Sequence, residues 1–329
     1  MSKLLEVKGL KTGFYLEKGM LPAVDGLDFS LDAGETLAIV GESGCGKTVT
    51  ALSILQLIPK NVGKIMQGSI MHAGKDLAKQ TEKEMRSIRG NEISMIFQEP
   101  MTSLNPVFTI GKQVSRPLMI HQGMSRQEAE AKAVEMLDLV GIPEPDRVIQ
   151  EYPHQLSGGM RQRVMIAIAL ACKPQILIAD EPTTALDVTI QAQILKLLAE
   201  LKEKTGTAIV LITHDMGVVA QIADNVLVMY AGEAVEYQAV KRLFAKPHHP
   251  YTSGLLQSIP SLVEDKEALF NIPGNVPSPA EMLHGCKFAP RCQYADANCR
   301  QHHPDLRIMK DGAKVRCHYP LGVEANEER

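Results

Sequence analysis

Apolar residues along this chain fall into two textures. Up to about residue 245, short runs that are almost wholly apolar alternate with stretches of helical period. Thr36-Leu37-Ala38-Ile39-Val40, Ile93-Ser94-Met95-Ile96-Phe97, Ile176-Leu177-Ile178-Ala179 and Ala208 to Thr213 have the pattern of strands in a buried parallel sheet. Residues 4–8 and 24–31 read as two further short strands, and Asp32-Ala33-Gly34-Glu35 as a turn. A helix is expected from Lys47-Thr48 through Leu57, stopping near Pro59. Gln127 to Val140 places Ala131, Val134 and Leu137 at helical spacing with charges between them, and 105–165 as a whole reads as a helical insert. Ile190 to Lys204 reads as an amphipathic helix. Alternation of helices with apolar strands predicts an α/β domain.

Beyond about residue 245 the long periodicity is lost. Nine of the 19 prolines lie from Pro247 onward. A boundary near Lys246 is expected, with a small loop-rich region after it. The 329 residues suit one large domain plus a smaller one, and 45% hydrophobic content is enough for a sizeable core. A net charge of -3 argues against a strongly nucleic-acid-binding protein. The N-terminus carries no signal-peptide pattern. The longest apolar candidate for a membrane span, Val164 to Ala179, is broken by Lys173-Pro174. The expected location is therefore cytoplasmic. Lys83, Arg86 and Arg89 read as a solvated helix face.

The chemistry starts where the run at Thr36–Val40 ends. Gly41-Glu42-Ser43-Gly44-Cys45-Gly46-Lys47-Thr48 fits the pattern G-x-x-x-x-G-K-[ST], between a strand and a helix as a phosphate loop requires. Its glycines let backbone N–H groups reach phosphate oxygens, and the helix adds its positive end. Lys47 would hold the β- and γ-phosphates, Thr48 would bind Mg²⁺, and Val49 follows in the first turn. Cys45 sits where the backbone matters, and its thiol reads as incidental. The strand Ile176–Ala179 ends in Asp180-Glu181. Asp180 would reach Mg²⁺ through water, and Glu181 would orient and polarise the attacking water.

Leu156-Ser157-Gly158-Gly159-Met160-Arg161-Gln162 completes a set. With the phosphate loop, Gln98, Asp180-Glu181, the Pro182-Thr183-Thr184-Ala185-Leu186-Asp187 stretch and His214, residues 1–245 resemble an ATP-binding-cassette (ABC) ATPase: a P-loop α/β core of mixed sheet and flanking helices with an α-helical subdomain at about 105–165. The resemblance implies that two subunits sandwich two ATP molecules. It implies that Ser157 and Gly159 contact the γ-phosphate of the partner's ATP, that Gln98 touches Mg²⁺ or water and senses the transporter, that His214 hydrogen-bonds the γ-phosphate, and that the loop at Asp187 belongs to the nucleotide site. Phe14 is the candidate adenine stacker with Tyr15 as fallback; a core aromatic is the competing reading of Phe14.

The C-terminal region narrows the likeness. His249-Pro250-Tyr251-Thr252 followed by clustered cysteines resembles the extension of oligopeptide and dipeptide importer ATPases. Phe97 to Pro106 and Tyr152-Pro153-His154-Gln155 look like the same group, with Glu99 where many relatives have Asp. Cys286, Cys292, Cys299 and Cys317 offer four thiols that read as iron–sulfur ligands, zinc ligands or plain thiols; they lack tight C-x-x-C pairs. The resemblance implies a [4Fe-4S] cluster, in a structural role that would stabilise a region with little core. His284, His302, His303 and His318 read as loop histidines.

The resemblance therefore implies a hydrolase and translocase subunit, peripheral on the cytoplasmic face of the cell (inner) membrane, powering import of di- or oligopeptides. It implies a second homologous ATPase in a heterodimer, two membrane permeases and an extracytoplasmic solute-binding protein, with no nucleic acid. The same machine with nickel, glutathione or another small solute as cargo is the near alternative. A soluble ABC ATPase acting on ribosomes or DNA usually carries two cassettes or a long coiled coil, and this chain has neither.

Overall fold

Backbone pairing follows the apolar runs closely where strands are buried on both faces and departs from them where strands are half exposed. The structure is a computed structural model that describes residues 3–17, 19–98, 103–184, 187–259, 271–277 and 284–322. Glu99 to Thr102 of the Phe97–Pro106 stretch, and Ala185-Leu186, lie outside the described residues. In chain order the strands are β1 (Leu5–Leu16), β2 (Gly19–Leu31), β3 (Thr36–Val40), β4 (Gly63–His72), β5 (Lys75–Asp76) and β6 (Ile93–Ile96). They continue with β7 (Ile176–Asp180), β8 (Ala208–Thr213), β9 (Asn225–Tyr230), β10 (Glu233–Ala239), β11 (Arg307–Ile308) and β12 (Lys314–Val315).

The chain divides into two units. The first comprises residues 1–31, 36–78 and 212–329. It contains an antiparallel sheet in the order β2-β1-β4-β5. It also contains a mixed arrangement, because β9 runs parallel to β3 and antiparallel to β10, and β10 pairs with β12. Every residue of β3 is buried. The hairpin of β1 and β2 is much longer than 4–8 and 24–31. Register shifts at Val7/Leu10, Leu10/Thr12 and Thr12/Gly13 carry it past glycines that interrupt the apolar alternation. β4 was not evident in the sequence; Gln67, Gly68 and Lys64 are exposed and leave only a weak period.

Apolar packing in the first unit runs on into the region after residue 245. Tyr230 of β9, Tyr251 of the helix Pro250–Gln257, and Phe288 are buried together. Tyr230 meets Tyr251 edge-on with ring centroids 4.8 Å apart, and Phe288 at 5.1 Å. Such aromatic pairs are favourable beyond the area they bury.

The second unit comprises residues 32–35 and 79–211. β6 and β7 pair in parallel from Ile93↔Ile176 to Ile96↔Ala179. Between them in sequence lie the helices Ile110–Gln122, Arg126–Leu139, Pro145–Val148 and Gly158–Leu170. Arg126–Leu139 begins with a capping box: Ser125 accepts from the Glu128 N–H while Glu128 accepts from the Ser125 N–H. The amphipathic helix runs Val188–Thr205, capped by Asp187 and closed by Gly206 at φ +70°. Arg86 is exposed on the helix Glu82–Ile88, whereas Arg89 lies just past its end and is half-buried, so the expected solvated face stops short of Arg89; both pair with Glu82.

Candidate nucleotide site

In the first unit β3 delivers the chain into the glycine loop, and the helix Lys47–Ile54 follows at once. This helix is shorter than expected from the apolar pattern, since Gln56 takes φ +48° and turns the chain away. Its N-cap, Gly46, has φ +102° and supplies no side-chain cap, so the first-turn N–H groups are the anion-binding kind. Two glycines are required by space as well as by φ. A Cβ on Gly41 would stand 2.2 Å from the Met229 carbonyl oxygen, and one on Gly46 would stand 2.6 Å from that of Ala23. Ser43 and Gly44 at the loop's crest are exposed, and Thr48 and Val49 are half-buried.

Lys47 is 6% exposed. Its Nζ donates to the carbonyl oxygens of Gly41 (2.7 Å) and Glu42 (3.0 Å). The ammonium thus closes the loop on itself at the point where the motif holds a polyphosphate. Cys45 is buried, and burial pushes its thiol up against the opposing pull of Lys47. A protonated, enclosed thiol is a poor nucleophile. His214 is exposed just after β8. Phe14 is half-buried in β1, paired with Leu21 and Gly63, while Tyr15 is 48% exposed.

In the second unit β7 ends at Asp180, which is 1% exposed. Glu181 follows with φ +45°, a left-handed conformation that a non-glycine residue adopts only when its surroundings impose it. Gln98 Nε2 donates to Glu181 Oε2 at 3.0 Å, and Thr184 Oγ1 donates to the same oxygen at 2.9 Å. These two donors fix the orientation of the carboxylate. Gln98 and Glu181 are therefore brought together, and Thr184 joins them, a contact that nothing in the sequence announces.

The Leu156–Gln162 segment splits by burial. Leu156 is 3% exposed and Gln162 is 1% exposed, its amide donating to the Pro182 carbonyl at 2.5 Å. Ser157 and Gly158 are exposed. Ser157 caps the helix Gly158–Leu170, its Oγ accepting from the Met160 N–H at 3.3 Å. Gly159 packs near Ile190, where a Cβ would come within 3.1 Å. Asp187 caps its own helix by accepting from the Ile190 N–H at 2.9 Å.

The four late cysteines line one small cavity in the first unit, with His249 and Phe288 in its wall. Burial pushes all four thiols up, that of Cys317 to about 12, with Cys286, Cys292 and Cys299 close enough to add to the effect. Among the described residues no group of three or more His, Cys, Asp or Glu could hold a metal ion. His303 bonds Glu233, His302 bonds Asn298, and His318 bonds the His302 carbonyl.

Comparison with known proteins gives a consistent result. The family model described as ABC transporter matches residues 24–184, and that described as oligopeptide/dipeptide transporter, C-terminal region, matches residues 235–299. The chain is 56% identical over 317 residues to the oligopeptide transport ATP-binding protein AppD of Bacillus subtilis, covering 96% of this chain and 97% of that one. It is 48% identical over 318 residues to the dipeptide transport ATP-binding protein DppD of Escherichia coli, covering 97% of both. Among solved structures, the dimeric post-hydrolysis ATP-binding cassette MJ0796 bound to ADP and Pi aligns with a TM-score of 0.64 at 30% identity, over 72% of this chain and 98% of that chain.

Proposed function

The chain belongs to the ATP-binding-cassette transporter family, and from that premise we propose that it is the ATP-hydrolysing subunit of a peptide importer. The observation that carries this reading is the 56% identity, over nearly the whole of both chains, to an oligopeptide transport ATP-binding protein, with the C-terminal transporter region matched as well. We divide the chain into a nucleotide-binding domain at 1–245, with a helical subdomain at about 105–165, and a C-terminal extension at 246–329.

Gly41 to Val49 cradle the phosphates of ATP, with Lys47 as the point charge on the β- and γ-phosphates. Thr48 and Gln98 would hold Mg²⁺, which would offset phosphate charge when bound, with Asp180 as a further acidic group acting on it. Glu181 accepts a proton from the attacking water, and its orientation by Gln98 and Thr184 supports that role. His214 bonds the γ-phosphate, Phe14 stacks on adenine, and Asp187 borders the site. Ser157 and Gly159 meet the γ-phosphate held by a partner subunit; the exposed start of the Gly158–Leu170 helix supports this.

The partners are a second homologous ATPase, two permeases and an extracytoplasmic binding protein. No described helix is long and apolar enough to cross a membrane. Attachment at the cytoplasmic face through the permeases follows as a proposal. A groove in the helical region, lined by Phe108, Arg116, Met119 and Ile120, supports contact with such partners. Cys286, Cys292, Cys299 and Cys317 would hold a [4Fe-4S] cluster, which would cross-link a small region when bound; that they line one cavity supports the reading, although as placed they do not form a group able to hold a metal ion. The test is uptake of a labelled peptide in cells that lack this chain. The wild type restores uptake, and Glu181→Gln binds ATP but leaves uptake at background. Unchanged uptake without the chain, or full uptake with Glu181→Gln, sinks the reading.

A further inference from the structure

Glu42 occupies a position that the phosphate-loop pattern leaves open. A carboxylate there is electrostatically awkward, because it stands in a loop built to attract polyphosphate. The structure supplies its counter-charge from far along the chain. Arg291 grips the Glu42 carboxylate through both ends of its guanidinium, Nη1 to Oε2 at 2.7 Å and Nη2 to Oε1 at 3.1 Å. The Arg291 side chain is 5% exposed. Its three remaining N–H groups are taken by the carbonyls of Ile272 (3.2 Å) and Pro273 (2.8 Å) and by the Tyr230 hydroxyl (3.5 Å). Paired, planar contacts of this sort are strong and directional.

A second tie acts on the same residue. The Glu42 main-chain N–H donates to the hydroxyl of Tyr251 at 2.9 Å, and Tyr251 is fully buried. Meanwhile the Glu42 carbonyl accepts from Lys47. All three polar groups of one loop residue are thus engaged, two of them by the C-terminal region. Arg291 also directly precedes Cys292, which lines the cysteine cavity.

We propose that Arg291 and Tyr251 are positioning residues for the phosphate loop: they set the course of its backbone at Glu42 and cancel the Glu42 charge, so that nucleotide affinity depends on the C-terminal region being in place. This deepens the reading of Gly41–Thr48 as the ATP site and rests on it. Removing Arg291 would strand a carboxylate beside incoming phosphate, and a stranded charge is worse than no charge at all.

The test is the dissociation constant of Mg·ATP with the purified full chain, measured by calorimetry alongside thermal unfolding. Arg291→Met is expected to weaken ATP about 10-fold, the order of one lost charge-assisted contact. Adding Glu42→Gln to it should restore most of that affinity, because the stranded charge is gone. Tyr251→Phe, which loses only a hydroxyl, should weaken ATP about 3-fold, as for one neutral hydrogen bond. A purely structural Arg291 would lower the melting temperature without this charge-dependent rescue. ATP affinities within twofold of wild type in Arg291→Met and Tyr251→Phe, or a double variant no tighter than Arg291→Met, would overturn the proposal. Should Arg291→Met not fold, Tyr251→Phe decides by the same twofold limit. A wild-type chain that binds no ATP would instead overturn the nucleotide reading itself.

Discussion

Alanine at Gly41 should destabilise this protein far more than alanine at Gly44, three residues on in the same loop. At Gly41, φ is +151°, and a Cβ would stand 2.2 Å from the Met229 carbonyl oxygen and 2.7 Å from Cys45 Sγ. Met229 lies in β9, which the ladder holds against β3 from Leu37↔Asn225 to Val40↔Val228. That oxygen cannot withdraw without breaking the pairing, and Cys45 is fully buried. At Gly44, φ is +80°, and a Cβ meets nothing within 4 Å. Both replacements incur backbone strain of about 1–3 kcal/mol. Only Gly41→Ala adds overpacking, about 1–3 kcal/mol. With an unfolding entropy of about 2.1 cal/mol/K per residue, a chain of 329 residues shifts by about 1.4 °C per kcal/mol, so Gly41→Ala should melt about 1–4 °C below Gly44→Ala. The assay is thermal unfolding of both nucleotide-free proteins followed by circular dichroism. A Gly44→Ala protein that melts at or below Gly41→Ala would refute the steric account of the loop.

Two further outcomes are expected. Cys292→Ser, purified without oxygen, should lose iron, acid-labile sulfide and any brown colour; full metal content would remove Cys292 from the ligand set. His249 is fully buried, accepts from the Tyr251 N–H at 3.0 Å, and is pushed by burial from 6.5 down to about 3. A folded-state value below the unfolded one means that the contribution to stability is complete above about pH 6.5 and is lost as pH falls toward 3. The melting temperature should therefore drop between pH 7 and pH 4, and His249→Asn, which keeps a capping acceptor, should drop less steeply; parallel curves would contradict this.

What the sequence revealed depended on how local the determinant was. β3, β7 and β8 were legible because strands covered on both faces are continuous apolar runs, and Ala208–Thr213 matched at both ends. The phosphate loop was legible because its glycines are dictated by φ and by close backbone approach at Gly41 and Gly46. The far halves of β1 and β2, and β4, were not, because bulges break the two-residue period and polar residues occupy the exposed face. Within the site, the oxygen of Glu181 shared by Gln98 and Thr184 needed side-chain geometry. The clamp on Glu42 was beyond reach for another reason: nothing local to Glu42 or Arg291 announces a partner 249 positions away.

That separation has a temporal meaning. Ribosomes extend a chain at about 5–20 residues per second, so about 12 to 50 seconds pass between the emergence of Glu42 and that of Arg291. During that interval the nascent cassette has its glycine loop and its Lys47 but not the guanidinium that neutralises Glu42. A chain cut short by stalling or proteolysis before Arg291 remains in the same unfinished condition. On the proposed role of Arg291, a later-made segment completes an earlier-made loop, and a chain that stops short of Arg291 is expected to bind ATP more weakly than one that contains it.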